Sequence, residues 1–455
     1  MKKTVLMALC ASSLGLGACG LDIPDLNNPS RESIVETPTP SSVKAAATGL
    51  LIGNRGGKSA SNGYVSQLGV LGRESYTLDP QDPRAVSEML SGAQLDPGSP
   101  AFGGNYWTGP YANIRNANTL IASLEKVTGF SEAEKESIRG FAKTIQALEF
   151  LTIVSTRDTN GGPIDVGGDI RTLAPIESKE RMLEHISTLL DESKGHLAAG
   201  GEGEFPFPLS SGYTGFKTPA TFLKFNRAVK ARNEAYRKNW NGVLSALSES
   251  FLDTTNLDTT KLGLGVYHAF GNGSGDSTNG LTSPNIYAHP SIVTDAEMKS
   301  PCNEPAGAFR CLDNRVQRKI KQVQAVPVQG LESPYAFTMY ATGTSPLPII
   351  RNEELILLRA EANINLGTPE ALLAAEQDIN LIRAVSGGLP PVTLAGENAV
   401  DVLLKERRYS LLFEGGHRWI DMRRYNQLAK LPKDLPSHVV HERFPIPTVE
   451  TDARK

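Results

Sequence analysis

The strongest constraint on the fold of this 455-residue chain is a pair of helix patterns near the C-terminus, separated by a single turn. Apolar residues recur at helical spacing from Asn352 onward, and Gly367 ends the pattern. Thr368 and Pro369 then begin a second pattern that runs to Gly387, because a capping residue followed by proline is typical of a first helical turn. Two helices joined so tightly predict an αα-hairpin.

Helix signals also dominate the first half of the chain. Ser131 and Glu134 have the spacing of a capping box and precede a stripe of apolar residues. Thr218 and Pro219 open another helix, and a third apolar stripe starts at Trp240. Strand-like sequence is scarce and no 34-residue period is visible. We therefore expect a mostly α fold whose helix pairs pack like tetratricopeptide repeats, with long irregular loops.

Two stretches, about 253–350 and about 54–109, are irregular and rich in Gly, Asn, Ser and Pro. Loops of this length inside a large domain are commonly functional or disordered. The aromatic and histidine side chains of the first stretch argue against disorder. We expect these loops to carry function.

The N-terminus has the pattern of an export signal. Lys2 and Lys3 precede an uncharged, mostly apolar run, 4–18, that is too short to span a membrane stably. An ordinary apolar helix is the alternative. The end of the run, Leu16-Gly-Ala-Cys19, resembles a bacterial lipobox, in which the thiol of the cysteine accepts a diacylglyceryl group. Residues 1–18 would then be removed and 19–40 would form a lipidated tether carrying acyl chains such as palmitate.

The remaining cysteines and the charge limit the chemistry. Cys302 and Cys311 are nine positions apart, and in an exported protein a loop disulfide is the expected use of such a pair. His438 and His441 are too few to hold a metal, so we expect neither a metal site nor a cofactor. A net charge of −3 excludes a strongly basic surface and gives no reason to expect a nucleic-acid partner.

The densest polar cluster lies between 404 and 425. Its spacing predicts one helix that reaches Glu414, a break at Gly415-Gly416, and a second helix carrying Arg418 and Asp421. Arginine cannot supply the shifted pKa that catalysis usually needs, whereas Arg–carboxylate pairs hold helices together. We interpret the cluster as a structural clasp formed by Glu406, Arg407, Glu414, Arg418, Asp421 and Arg424.

Several motifs, in order, resemble the SusD/RagB family of outer-membrane nutrient-capture lipoproteins. They lie at 106–118, 359–363, 375–383, 406–424 and 444–447, and the lipobox precedes them. The chain departs from the family pattern at 384–388, at Ser410 and at Gly416, so details of ligand binding do not transfer.

The resemblance implies a single domain at 41–455, with a helical part at about 41–252, a loop region at about 253–350 and a RagB/SusD part at about 351–455. It further implies a non-enzymatic protein on the cell surface, attached to the outer membrane by lipid. Such a protein captures an oligosaccharide or peptide and passes it to a TonB-dependent, SusC-like barrel.

Sugar capture needs flat aromatic faces beside polar groups. Our candidate ligand contacts are therefore the loop residues Tyr267, His268, Phe270, Tyr287 and His289. Two alternatives stay open. A surface glycan hydrolase would need two carboxylates about 5–10 Å apart in a cleft, and a structural lipoprotein scaffold would bind neither sugar nor peptide.

Overall fold

Helices dominate the structure, a computed structural model that describes residues 35–99, 103–167, 172–274, 276–305, 308–394 and 398–455. The export signal, Cys19 and most of the tether lie outside these residues. The long helices are Pro40–Arg55, Asn105–Ser123, Glu132–Arg157, Lys179–Ala198, Pro219–Tyr236, Trp240–Ser248, Asn352–Leu366, Pro369–Ile382 and Ala399–Ser410. The shorter helices are Tyr64–Leu71, Arg84–Ser87, Thr259–Leu262, Ser291–Thr294, Asn314–Lys319, His417–Arg424 and Thr448–Asp452.

The capping residues that the sequence predicts are present at the starts of these helices. The Ser131 hydroxyl accepts the Glu134 N–H at 3.2 Å, and the Glu134 carboxylate accepts the Ser131 N–H at 2.8 Å. Thr218 caps the helix that opens at Pro219. Because such caps satisfy amide groups that the helix leaves unpaired, they fix where each helix starts.

The predicted αα-hairpin is confirmed. Gly367 adopts φ +70°, a left-handed conformation that favours glycine, and ends the first helix. The Thr368 hydroxyl accepts the Ala371 N–H at 3.2 Å and starts the second helix. That helix ends at Ile382, and a π-helical turn continues to Gly387.

Consecutive helices pack side by side, as expected for tetratricopeptide-like pairs. Each of the helices from Asn105–Ser123 to Trp240–Ser248 contacts the next one, and Trp240–Ser248 contacts Asn352–Leu366. The largest apolar core lies among them and includes the fully buried rings of Phe141, Phe222 and Phe225. The helical fold class is therefore confirmed.

The strands are short and lie mostly in the irregular stretches. They are β1 (Ser75–Thr77), β2 (Gly162–Pro163), β3 (Ile176–Glu177), β4 (Gly265–His268), β5 (Ile286–Ala288), β6 (Ile320–Gln322), β7 (Tyr335–Phe337) and β8 (Leu347–Arg351). One antiparallel sheet has the order β1-β5-β7-β6, and β2-β3 and β4-β8 form separate pairs. The pairing of β1 with β5 joins the two irregular stretches of the chain.

One helix boundary differs from the sequence prediction. The helix that begins at Ala399 ends at Ser410 and does not reach Glu414. Phe413 adopts φ +58°, which a helix cannot contain, and its ring stacks on Phe337 with centroids 4.2 Å apart. The residues from 411 to 416 therefore form a turn between the two helices of the clasp.

Candidate functional site

The two irregular stretches meet at an open pocket beside β1 and β5, which we name the two-loop pocket. Ser75 pairs with Ala288 and Thr77 with Ile286. Just beyond the ladder, the Leu78 N–H donates to the Asn285 carbonyl at 2.8 Å. This register places the segments 61–89 and 283–285 on either side of a cavity of about 130 Å³.

Polar side chains make up most of the wall of the two-loop pocket. They are Ser61, Asn62, Ser66, Gln67, Thr77, Asp79, Asp82, Arg84, Ser283 and Asn285. Val70, Ala85 and Met89 supply apolar surface. Hydroxyls, amides, carboxylates and a guanidinium beside apolar surface are the groups that a polyhydroxylated ligand requires.

Asp82 and Arg84 form the charged part of this wall. The Arg84 guanidinium donates two parallel hydrogen bonds to Asp82, each 2.7 Å long. These hydrogen bonds lower the pKa of the Asp82 carboxyl, which therefore stays ionised at neutral pH. A general acid needs a raised pKa, so Asp82 is suited to accept hydrogen bonds and not to protonate a leaving group.

Three of the predicted ligand residues lie together, but at a different place. Tyr267 and His268 line a recess of about 210 Å³ beside the end of the first long helix, which we name the Tyr267 recess. The Tyr267 hydroxyl donates to the Gly263 carbonyl. The Arg55 guanidinium donates to the Ala269 carbonyl at 2.5 Å and lies 5.5 Å from the centre of the Phe270 ring. The first contact holds Tyr267 in the recess wall, whereas Phe270 lies outside the lining and packs against a neighbouring apolar cluster.

The other two predicted ligand residues lie on or just after β5. Tyr287 is half-buried and packs against an apolar cluster under the sheet. His289 is only 1% exposed. Its ring nitrogens lie 2.8 Å from the Ser291 hydroxyl and 3.1 Å from the Asp434 carboxylate. His289 is therefore an interior residue, and the structure removes it from the ligand-facing set.

The aromatic-residue criterion overlooked the residues that line the two-loop pocket. That pocket contains no aromatic side chain among the described residues. The available sequence signal was the segment 79–84, in which two aspartates, two prolines and an arginine follow one another. Such a segment predicts an exposed turn with fixed charges, but not its pairing with a segment 200 residues away.

Most of the clasp residues form buried ion pairs. Asp421 accepts from Arg407 at 2.7 Å and from Arg424 at 3.0 Å, and Arg424 also reaches Glu361 at 2.5 Å. Glu361 lies on helix Asn352–Leu366, so this group joins three helices. Its members stabilise the scaffold and are remote from solvent.

Two further carboxylates of the clasp each bind two cations. Glu406 lies 2.7 Å from Arg315 and 2.6 Å from Arg383. Glu414 accepts from Arg351 at 2.8 Å and from Lys319 at 2.9 Å. These contacts attach the C-terminal helices to the loop region.

The prediction that Arg418 belongs to the clasp is wrong. It forms no ion pair with the described residues, and its Nε is buried without a hydrogen-bond partner. Burial and the neighbouring Arg408 lower the pKa of Arg418 to about 9. The Asp421 carboxylate is occupied by Arg407 and Arg424, and the acid beside Arg418 is the buried Glu74.

The remaining predicted features concern cysteines, metals and membranes. Cys302 and Cys311 are joined by a disulfide, with Cα atoms 5.7 Å apart. The described residues contain no group of three or more side chains placed to hold a metal ion. Within the same residues, none of the helices combines the length and the apolar character needed to cross a bilayer.

Comparison with known proteins shows the fold and a family match in the C-terminal part of the chain. Residues 327–447 match the profile of the SusD family. No curated protein sequence matches the chain. The motifs from Arg359 to Pro447 that resembled this family all lie inside the matched segment.

Solved structures with the same architecture cover nearly all of the chain. A SusD-like protein from Bacteroides fragilis is 16% identical, with a TM-score of 0.67 over 92% of this chain and 96% of its own. Surface glycan-binding protein A from Bacteroides thetaiotaomicron, in complex with laminarihexaose, is 15% identical, with a TM-score of 0.64 over 92% of this chain and 98% of its own. A laminarin-binding SusD-like protein is 15% identical, with a TM-score of 0.58 over 91% of this chain and 97% of its own. The chain has the helical fold of SusD-like proteins, and its residues 327–447 match the SusD family.

Proposed function

We propose that this protein is a cell-surface lipoprotein that binds an oligosaccharide in the two-loop pocket and delivers it to a TonB-dependent outer-membrane transporter. The observation that supports the site is the convergence of two distant loops into one wall of ten polar side chains. The fold supports the ligand class, since proteins of the same architecture bind laminarin and laminarihexaose. A peptide is the second ligand to test.

The proposed mode of action is capture without covalent chemistry. Asn62 and Asn285 present amide donors and acceptors, and Asp82 presents an ionised carboxylate held by Arg84. Directed hydrogen bonds to sugar hydroxyls give specificity, and the apolar part of the pocket lining contacts the C–H surface of the sugar. The ion pair with Arg84 keeps Asp82 ionised, so Asp82 is suited to bind hydroxyl groups and not to act as a general acid.

The experiment is isothermal titration calorimetry with laminarihexaose, maltohexaose and a mixed peptide pool. We expect saturable binding of at least one oligosaccharide, weakened about tenfold or more in a variant carrying Asn62→Ala and Asn285→Ala, because each lost hydrogen bond costs about 0.5–1.5 kcal/mol. Asn241→Ala, on an exposed turn of helix Trp240–Ser248, is the matched control and should bind like the wild type.

The outcomes separate the alternatives. Tyr267→Ala could abolish binding while the double asparagine variant keeps it. That result would assign the ligand site to the Tyr267 recess and contradict the two-loop pocket. Release of shorter sugars from the oligosaccharide would favour a hydrolase. No heat of binding with any of the ligands would favour a structural scaffold.

The transporter is tested separately. Affinity purification of the lipidated protein from detergent-solubilised outer membranes should recover a large β-barrel transporter. Recovery of the protein alone, under conditions that preserve other outer-membrane complexes, would contradict this part of the proposal.

A further inference from the structure

A second, inner cavity lies between the N-terminal helices and the C-terminal part of the chain. We name it the inner chamber, and its volume is about 90 Å³. Its polar wall includes Lys58, Tyr64, Thr152, Arg232, His268 and His417. The two-loop pocket shares none of these residues. A cavity of this size holds several waters or one compact solute.

Lys58 is the cation of the chamber that lacks a carboxylate partner. Its ammonium donates to the Thr152 hydroxyl at 2.6 Å and lies 4.7 Å from the centre of the Tyr64 ring. An ammonium has three N–H donors, so at least one of them has no acceptor among the described residues. Burial lowers the pKa of Lys58, partly offset by Glu149, which shows that the surrounding protein does not fully compensate this charge.

Two histidines add unused hydrogen-bonding capacity to the same wall. His417 is 8% exposed, and its Nδ1 is buried without a hydrogen-bond partner. His268 is 9% exposed, and its ring forms no hydrogen bond with the described residues. A buried polar atom without a partner is costly, so the His417 nitrogen is a polar group that the described residues leave unsatisfied.

The other charges of the chamber are already neutralised. The Arg232 guanidinium donates to the two Glu354 oxygens at 2.7 and 2.6 Å. Glu414, which also lines the chamber, is paired with Arg351 and Lys319. Among the charged groups that line the chamber, Lys58 is therefore the one without an ion-pair partner in the described part of the chain, and the buried Glu149 carboxylate near it offsets part of its charge.

From this geometry we propose that the inner chamber binds a compact oxyanion, such as phosphate, sulfate or a small carboxylate, with Lys58 as its counter-ion. The anion would accept the spare N–H of Lys58 and one N–H from each histidine ring. His268 also lines the Tyr267 recess, so the anion would enter from that recess past its ring. This site is independent of the proposed glycan pocket.

The test is isothermal titration calorimetry of the purified protein with phosphate, sulfate, acetate and chloride. Calorimetry is preferred to thermal shifts because sulfate raises the melting temperature of most proteins by exclusion from their surface. We expect saturable binding of at least one of the three oxygen anions and none of chloride. Lys58→Met should weaken the affinity for the oxygen anion at least tenfold. Lys224→Met, which removes an exposed charge from helix Pro219–Tyr236, should leave this affinity unchanged.

A crystallographic measurement keeps the proposal testable if Lys58→Met fails to fold. Selenate soaked into wild-type crystals should give an anomalous peak within hydrogen-bond distance of Lys58 Nζ. Three results would overturn the proposal: no saturable heat with any oxygen anion, equal affinity in a folded Lys58→Met variant, or a selenate peak only outside the chamber.

Discussion

At the scale of single residues, the scaffold depends on buried charges that each have more than one partner. Glu406 is 1% exposed and bridges Arg315 and Arg383. Removing one member of a buried ion pair leaves an uncompensated charge, which costs about 3–5 kcal/mol. Because Arg315 also pairs with Asp313, we expect Glu406→Gln to lower the free energy of unfolding by about 3 kcal/mol, at the lower end of this range.

Urea denaturation measures this loss. Asp401→Asn is the control, because Asp401 lies on the same helix but forms an exposed ion pair with Lys430. Exposed pairs contribute about 0–1 kcal/mol, so the control should change stability little. Equal losses in the two variants would show that burial does not decide the contribution of these pairs.

Glu74 makes stability depend on pH. Burial raises the pKa of this fully buried carboxyl to about 7, although the Phe413 N–H and the nearby Arg418 favour its ionised form. The folded protein therefore holds a proton between pH 4.5 and 7 that the unfolded chain has released. The stability from Glu74 is complete below pH 4.5 and is lost as the pH rises to 7, a difference of about 3 kcal/mol.

The measurement is the urea midpoint of the wild type and of Glu74→Gln at pH 5 and pH 8. The amide keeps an acceptor for Phe413 and does not ionise. We expect the variant to gain stability relative to the wild type as the pH rises from 5 to 8. A difference between the two proteins that does not change with pH would contradict the raised pKa.

At the scale of helices and strands, local capping residues determine where many of the helices begin. Thr368 caps helix Pro369–Ile382 and ends the tight turn at Gly367. Loss of an N-cap costs about 1 kcal/mol, so Thr368→Ala should lower the free energy of unfolding by about that amount. Thr188→Ala, at an exposed mid-helix position, should change it by less than about 0.5 kcal/mol in chemical denaturation. A smaller effect at Thr368 than at Thr188 would contradict the capping role.

The same distinction explains what the sequence could predict. The hairpin around Gly367 and the capping box at Ser131 depend on neighbours within four residues, so both were predicted correctly. The helix end at Ser410 was missed because the left-handed Phe413 is held by Phe337, which is distant in sequence. Tertiary contacts of this kind leave no periodic signal in either segment.

The candidate site shows the same limit more strongly. The composition of the two irregular stretches predicts that they carry function, and the structure brings the two stretches together at a pocket. Which side chains face the pocket depends on the β1–β5 register, which turns Thr77 toward it while His289, after β5, is buried. Neither segment has a sequence pattern that predicts its pairing with the other. The choice of candidate ligand residues by their aromatic character therefore led to residues outside the two-loop pocket.

At the scale of the whole molecule, a body of packed helices holds the irregular loops. The ion pairs of Asp421, Glu406 and Glu414 connect the C-terminal helices to the loop region. This arrangement separates stability from ligand choice, since the two-loop pocket contains none of the clasp residues. Substitutions in the pocket should therefore alter binding with little effect on folding.

The whole-molecule prediction concerns membrane attachment, on which the proposed delivery to a transporter depends. Cys19→Ser removes the thiol that would form the thioether, so the variant should fail to incorporate labelled palmitate and should not be anchored by lipid. One acyl chain binds a protein to a membrane only marginally, whereas several chains hold it durably. We therefore expect the Cys19→Ser variant to lose membrane attachment completely. Cys10→Ser is the matched control, because residue 10 lies in the segment 1–18 that the predicted processing would remove. Labelling followed by membrane fractionation measures both variants, and equal labelling of Cys19→Ser and the wild type would contradict lipid attachment at this cysteine.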